Sequence, residues 1–185
     1  MNLILFASHN GSNAENIANY FKDSTVNIVG ILSNNTSAGV LERAKRLGIP
    51  TVVFNKYEWE TGDRIDEIID AFKPDLIVLA GFLWKFSSRL LYKYPTINIH
   101  PALLPKYGGK GMYGRHIHEE VIRNKETESG ITIHWVNENY DEGKQIFQAT
   151  CPVESNDTAA LLAKKISLLE FEHFPRIIET LLFNS

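Results

Sequence analysis

The chain has 185 residues, enough for one good hydrophobic core, so a single domain over residues 1–185 is expected. Its hydrophobic fraction of 44% and charged fraction of 22% are those of an ordinary globular protein, and a net charge of -3 with no basic stripe gives no electrostatic ground for a nucleic-acid partner. Cys151 is the one cysteine, which excludes a disulfide framework within the chain, and no apolar run is long enough to span a bilayer; a reducing cytoplasm, with no membrane partner, is the expected setting.

Apolar runs alternate with helical patterns. Asn2 to Ser8 lacks the basic n-region of a signal peptide and reads, over Leu3 to Ala7, as a buried strand. Ala14 to Phe21 carries Ile17, Tyr20 and Phe21 at helical spacing. Val26 to Leu32 is a second strand. Val40 to Leu47 is a short helix stopped by Gly48 and Pro50, and Thr51 to Phe54 a third strand. Ile65 to Phe72 sets Ile65, Ile68, Ile69 and Phe72 on one stripe and ends before Pro74. Leu76 to Ala80 is a nearly all-apolar central strand. This alternation predicts βαβ units and an α/β fold with a doubly wound, mostly parallel sheet.

Beyond Gly81 the pattern loosens. Phe82 to Phe86 is apolar and aromatic, Ser87 to Tyr94 reads as a short helix capped by a serine, and Ile97 to His100 is a strand stopped at Pro101. The many glycines from Lys106 to Gly114 predict a mobile surface loop. A helix from Tyr113 or Arg115 to Arg123 follows. Ile131 to Val136 alternates like a half-exposed strand, and Gln145 to Val153 is another. Asp157 is expected to cap a helix from Thr158 to about Leu169 that buries Leu161, Leu162, Ile166 and Leu169. Pro175 is expected to interrupt it, with Ile177 to Phe183 continuing.

The strand that carries Asn98 and His100 is the most informative for chemistry. Residues i and i+2 share a face, so these two point into one site while Ile97 and Ile99 point into the core. An amide donates without changing charge; an imidazole donates, accepts and switches charge near neutral pH. Together they suit a reaction in which negative charge develops on a carbonyl oxygen; the alternative is a strand-end Asn and a His bonded to loop backbone. Gly11-Ser12-Asn13 leads from the first strand into a helix, where backbone N–H groups form an anion site suited to phosphate; alternatively Ser12 or Asn13 is only an N-cap. The stretch is neither a dinucleotide fingerprint nor a P-loop. Asp141, between the two late strands, either meets His100 and raises its pKa or belongs to an ordinary turn. His116 and His118 fall on different helix faces and have no third ligand nearby, which speaks against metal. His134 faces either core or site. Cys151 reads as a small buried residue rather than a nucleophile. The aromatics of Phe82 to Phe86 either line a cofactor slot or belong to the core.

Taken in order, Gly11-Ser12-Asn13, Leu79-Ala80-Gly81-Phe82, the run Asn98-Ile99-His100-Pro101-Ala102-Leu103-Leu104-Pro105, Gly130-Ile131-Thr132-Ile133-His134 and Asp141 resemble the phosphoribosylglycinamide formyltransferase family, the folate-dependent formyltransferases of purine synthesis. The resemblance covers nearly the whole chain. It implies a single-domain, Rossmann-like formyltransferase fold with an antiparallel C-terminal strand region and a long C-terminal helix. It implies formyl transfer from the co-substrate 10-formyltetrahydrofolate, with no metal, to the amine of glycinamide ribonucleotide, by a monomer or weak homodimer. Asn98, His100 and Asp141 would be the catalytic trio, with Asp141 keeping His100 charged beside a tetrahedral oxyanion. Leu83, Trp84, Lys85 and Phe86, with Asn98 and the loop Asn137, Glu138, Asn139, Tyr140 and Asp141, would hold the folate. Gly11, Ser12 and Asn13 would hold the phosphate, and Ser167 and Glu170 would contact the ribonucleotide.

Several positions depart from the family pattern. Trp84 and Lys85 stand where an arginine and an aliphatic residue are common, the loop Gly108 to Gly114 is richer in glycine, Ser167 replaces a longer polar residue, and an arginine often found after the third strand has only Lys56 as a counterpart. Methionyl-tRNA formyltransferases share the trio but carry a further C-terminal domain and no comparable phosphate loop, whereas this chain is expected to end after one domain. Formyltetrahydrofolate hydrolases use water as acceptor and usually carry an N-terminal regulatory domain, whereas here the first strand begins at Asn2. A plain phosphate-binding module would explain Gly11 to Asn13 but not the trio.

Overall fold

The structure, a computed structural model, describes residues 1–183; the last two positions of the expected domain lie outside the described residues. Strand β1 (Asn2–Phe6) is apolar on both faces: Leu3 and Leu5 enter one buried cluster, Ile4 and Phe6 the other. That double burial is what a central parallel strand requires. Helix α1 (Ser12–Tyr20), β2 (Asn27–Ser33), α2 (Gly39–Leu47), β3 (Thr51–Val53), α3 (Lys56–Thr61), α4 (Asp63–Phe72), β4 (Leu76–Leu79), α5 (Ser88–Leu91) and β5 (Thr96–His100) complete the wound part of the fold. Helix α6 (Arg115–Arg123), β6 (Glu128–Trp135), β7 (Gln145–Pro152) and α7 (Ala159–Phe183) follow. The strands form one sheet in the order β3-β2-β1-β4-β5-β6-β7. Pairings from β3 through β5 are parallel, while β6 runs antiparallel to β5 and β7 antiparallel to β6. The expected α/β architecture and its antiparallel C-terminal region are both present.

Helices cover both faces. Alanines and aliphatics of α1, α2, α6 and α7 pack on one cluster, which includes Ile97, Ile99, Ile131 and Ile133. Trp59, Ile65, Ile69 and Leu90 of α3, α4 and α5 pack on the other, around Phe6. Phe82 and Phe86 meet the Phe6 ring edge-on at centroid distances of 5.2 and 5.3 Å. Burying one such ring contributes roughly 2–3 kcal/mol. The buried members of this second cluster come from β1, β2 and β4 but not from β5 or β6. There the sheet presents Asn98 and His100, whose antiparallel partners are His134 and Thr132.

The structure corrects the sequence expectations at several points. Helix α3 was not expected, although Asn55 and Glu58 form a capping box whose spacing is visible in the sequence. Ser87 stands at the N-cap of α5 but makes no side-chain cap hydrogen bond, and α5 is a single turn. Strand β6 is buried along nearly its whole length rather than half-exposed, because it lies between β5 and β7. Leu161, expected to be buried, is exposed, and so is Tyr20, although it stands at helical spacing with the buried Ile17 and Phe21. Thr158, not Asp157, caps α7: its Oγ1 accepts from the Leu161 N–H, while Asp157 accepts from the Glu154 N–H and from Lys165. Pro175 does not interrupt α7. The carbonyl that its missing N–H would have engaged, that of Phe171, accepts instead from Asn16 Nδ2 at 2.9 Å. Among the described residues no helix is long and apolar enough to cross a membrane.

Candidate active site

Strand order reverses between β1 and β4, and ligands in open α/β sheets bind at the carboxyl ends of strands at such a point. A cavity of about 610 Å³ opens there. It is lined by residues following β1, β4 and β5, by the 137–141 loop, by Met112 and His118, and by Ser167 and Glu170 of α7.

At one end lies the start of α1. Gly11 is its N-cap, in the left-handed region at φ 74°, and no side chain caps the helix. The reading of Ser12 or Asn13 as a mere N-cap is therefore excluded. A Cβ on Gly11 would sit 2.3 Å from Val40 Cγ2 and 2.8 Å from its Cα, so α1 and α2 approach only because residue 11 is glycine. Asn13 Nδ2 donates to Glu170 Oε2 at 3.0 Å, and Asn13 Oδ1 is buried without a partner. Burial raises the Glu170 pKa to about 7, against a smaller lowering by Asn13.

At the centre, the Asn98 and His100 side chains meet Asp141. His100 is 4% exposed. Its Nε2 donates to the Tyr107 carbonyl at 2.8 Å, and its Nδ1 lies 3.5 Å from Asp141 Oδ1. The same Oδ1 is 3.6 Å from His134 Nε2. Asp141 thus both occupies a turn, at φ 58°, and reaches the imidazoles; the Gly109 N–H donates to its Oδ2 at 2.9 Å. Burial pushes the Asp141 carboxyl up, but His134, His100 and Gly109 together hold it below the usual carboxylate range. Asp141 and the Tyr107 carbonyl do push the His100 pKa up, as expected, yet burial outweighs them and the net direction is down. Burial therefore favours the neutral form of His100.

His134, left open between core and site, joins the cluster. Its Nδ1 donates to the Trp135 carbonyl at 2.9 Å, so its Nε2 accepts from Asn98 Nδ2 at 3.1 Å. That fixes which edge of the Asn98 amide faces the imidazole and leaves the second Nδ2 hydrogen unused there. The antiparallel register pairs Asn98 with His134 directly, and an irregularity at Ile133/His134 adjusts the strand beside the site. The signal available in the sequence was the alternation Thr132, His134 against Ile131, Ile133. Tyr107, whose carbonyl holds His100, was not singled out, since a backbone acceptor has no side-chain signature.

The segment Leu83–Phe86 forms the far wall. Phe82 and Phe86 belong to the aromatic core and, with Trp84, also line the cavity, so both readings of these aromatics hold, while Trp59 Nε1 donates to the Lys85 carbonyl at 3.2 Å and pins the backbone. Lys56 Nζ lies 4.9 Å from the Trp84 ring centroid and is not part of the cavity wall. Asn137, Asn139 and Tyr140 also line the cavity; Glu138 lines an adjoining one of about 460 Å³ with Lys85 and Lys110. The glycine-rich loop is tied down at Tyr107 and Gly109, and Met112 packs against the core. His116 is exposed and His118 buried on opposite sides of α6, and among the described residues no cluster of His, Cys, Asp and Glu is placed to hold a metal ion. Cys151 is half-buried, and burial pushes its thiol up.

Known proteins resemble this chain in sequence and in fold. The sequence profile of the formyl transferase family matches residues 1–178. The chain is 39% identical over 180 residues to the chloroplastic phosphoribosylglycinamide formyltransferase of Arabidopsis thaliana, covering 92% of this chain and 61% of that protein. It is 33% identical over 187 residues to the phosphoribosylglycinamide formyltransferase of Escherichia coli (strain K12), covering 96% and 85%. The crystal structure of phosphoribosylglycinamide formyltransferase from Streptococcus pneumoniae TIGR4 superposes with a TM-score of 0.85 at 32% identity, covering 98% of each chain. The chain thus spans about three fifths of the chloroplastic relatives it matches and most of the bacterial ones. On sequence and fold together, the chain belongs to the formyl transferase family and groups within it with the phosphoribosylglycinamide formyltransferases.

Proposed function

We propose that this chain, acting as one cytoplasmic formyltransferase domain and as a monomer or weak homodimer, transfers the formyl group of 10-formyltetrahydrofolate to the amine of glycinamide ribonucleotide. The products are formylglycinamide ribonucleotide and tetrahydrofolate. The observation that carries the reading is the cluster of Asn98, His100 and Asp141 in the middle of a cavity that runs from the uncapped start of α1 to the pinned backbone of Leu83–Phe86. Such a cavity holds two ligands end to end, with their reacting groups at the cluster. The first turn of α1, at Gly11, Ser12 and Asn13, takes the phosphate, and Ser167 and Glu170 take the ribose. The backbone of Leu83–Phe86 and the 137–141 loop take the pterin.

The amine nitrogen attacks the formyl carbon. A carbon–nitrogen bond forms and the carbonyl electron pair moves onto oxygen. The free Nδ2 hydrogen of Asn98 and the Nδ1 side of His100 stabilise that oxyanion, each contributing roughly 3–4 kcal/mol at such a site. Because the Nε2 hydrogen of His100 is committed to Tyr107, the titrating proton is the one on Nδ1, against Asp141. Burial favours the neutral imidazole at rest; the proton released by the attacking amine passes to Nδ1, and the imidazolium so formed stabilises the growing negative charge on oxygen. When the intermediate collapses, the bond from the formyl carbon to folate N10 breaks. N10 gains the proton that the amine loses, with Asp141 as the carboxylate beside both imidazoles to relay it. Incubating the protein with formyl-folate, with and without glycinamide ribonucleotide, tests the assignment. Tetrahydrofolate is expected only when the ribonucleotide is present; equal release without it would make water the acceptor and overturn the proposal.

A further inference from the structure

His118 is a buried imidazole on α6 that the mechanism above does not use. It is 5% exposed, and its ring lines the cavity together with His100, Ser167 and Glu170. Its Nδ1 is buried with no hydrogen-bond partner. Buried N–H groups without an acceptor are rarer than buried acceptors left unpaired, so the ring hydrogen belongs on Nε2. The cation would need both nitrogens to carry hydrogen and would orphan the one on Nδ1. Consistent with this, burial first, and then the His100 imidazole, pull the His118 pKa down. Nδ1 is sealed off, so Nε2 is the nitrogen through which the ring meets a ligand. Burial thus favours His118 as a neutral donor of fixed direction, with no hydrogen-bond partner for its ring among the described residues.

Resting on the formyl-transfer reading, we infer that His118 is a binding residue for the acceptor substrate, its Nε2–H donating to the glycyl carbonyl oxygen of glycinamide ribonucleotide. The ring is within electrostatic reach of His100, where the amine must lie, and α6 packs against α7, which brings Ser167 and Glu170 to the cavity. The part of the acceptor that joins these points is the ribose with its glycinamide arm. The glycyl carbonyl is the hydrogen-bond acceptor next to the amine. Holding it fixes rotation about the adjoining carbon–carbon bond and aims the amine at the formyl carbon. A neutral donor suits this place, because a cation beside the amine would oppose a substrate that arrives as an ammonium ion.

Steady-state kinetics on the whole chain test the inference. His118→Leu is expected to raise KM for the ribonucleotide about tenfold, the scale of one lost hydrogen bond at about 1.4 kcal/mol. KM for formyl-folate should change less than about twofold, the loss of an acceptor-specific contact leaving uniform binding elsewhere intact. His118→Gln, whose amide supplies a donor, should recover to within roughly threefold of wild type. If circular dichroism shows His118→Leu unfolded, His118→Phe keeps the ring volume without the donor and carries the same expectation. Unchanged ribonucleotide KM in the donorless variant, equal rises for both ligands, or a glutamine variant as impaired as the leucine one would overturn it. A wild-type protein inert toward the ribonucleotide would overturn the formyl-transfer reading itself; an active wild type with an unaffected His118→Leu would overturn this inference alone.

Discussion

Replacing Glu170 with glutamine should make the protein more stable, but only at alkaline pH. The carboxyl is buried where α7 packs on α1, and its pKa rises from an ordinary 4.5 to about 7. In the unfolded chain it ionises as the pH passes 4.5; in the folded protein it stays protonated until about 7. Its favourable contribution is therefore complete below the unfolded value and lost as the pH rises through the folded one. A gap of roughly 2.5 pKa units, at about 1.4 kcal/mol each, sets a ceiling of about 3 kcal/mol. Glutamine keeps the shape and an oxygen for Asn13 Nδ2, yet cannot ionise. Urea unfolding without ligands, followed by far-ultraviolet circular dichroism, gives the comparison. At about pH 4.5 the two proteins should agree within roughly 0.5 kcal/mol; at about pH 8.5 Glu170→Gln should exceed wild type by roughly 1–3 kcal/mol. A difference that is the same at both pH values, or a wild type that is the more stable at high pH, would refute the reasoning.

Other outcomes follow from the same geometry. His100→Ala and Asn98→Ala should each fold normally and lower kcat by at least about a hundredfold, read in a formyl-transfer assay; near-wild-type turnover in a folded variant would remove them from the mechanism. Asp141→Asn keeps a residue that tolerates φ 58° but removes the carboxylate that pushes His100 up. The acid limb of its kcat profile, where the neutral imidazole is lost, should move to lower pH, and an unmoved limb would count against the coupling. Gly11→Val should prevent folding, since its side chain would overlap Val40. Ser12→Asp is the better probe of the phosphate site: a carboxylate there favours the helix and repels phosphate, so ribonucleotide KM should rise more than about tenfold without loss of thermal stability. Asn16→Ala should lower stability by roughly 1–3 kcal/mol in urea titration, because it leaves the Phe171 carbonyl beside Pro175 without its donor.

The sequence by itself determined what depends on near neighbours. Residues that alternate across β1 and β4 bury on two faces whatever else surrounds them, which made the parallel sheet legible. The spacing of Asn98 and His100 put both side chains on one face of β5, and the Gly11 junction lay at the end of β1. Asn55 and Glu58 carried a start signal of the same local kind, and it was missed. Tertiary structure decided the rest. His134 joins Asn98 only because β6 pairs antiparallel with β5 in one register. Helix α7 passes through Pro175 because Asn16, far off in sequence, supplies the missing donor. The charge of His100 turned on a competition: Asp141 and the Tyr107 carbonyl raise its pKa, but the enclosure of the imidazole lowers it further. Periodicity and capping act over one or two turns of chain. Desolvation, strand partnership and the satisfaction of an orphaned carbonyl depend on what distant segments bring within a few ångströms, which no local pattern records.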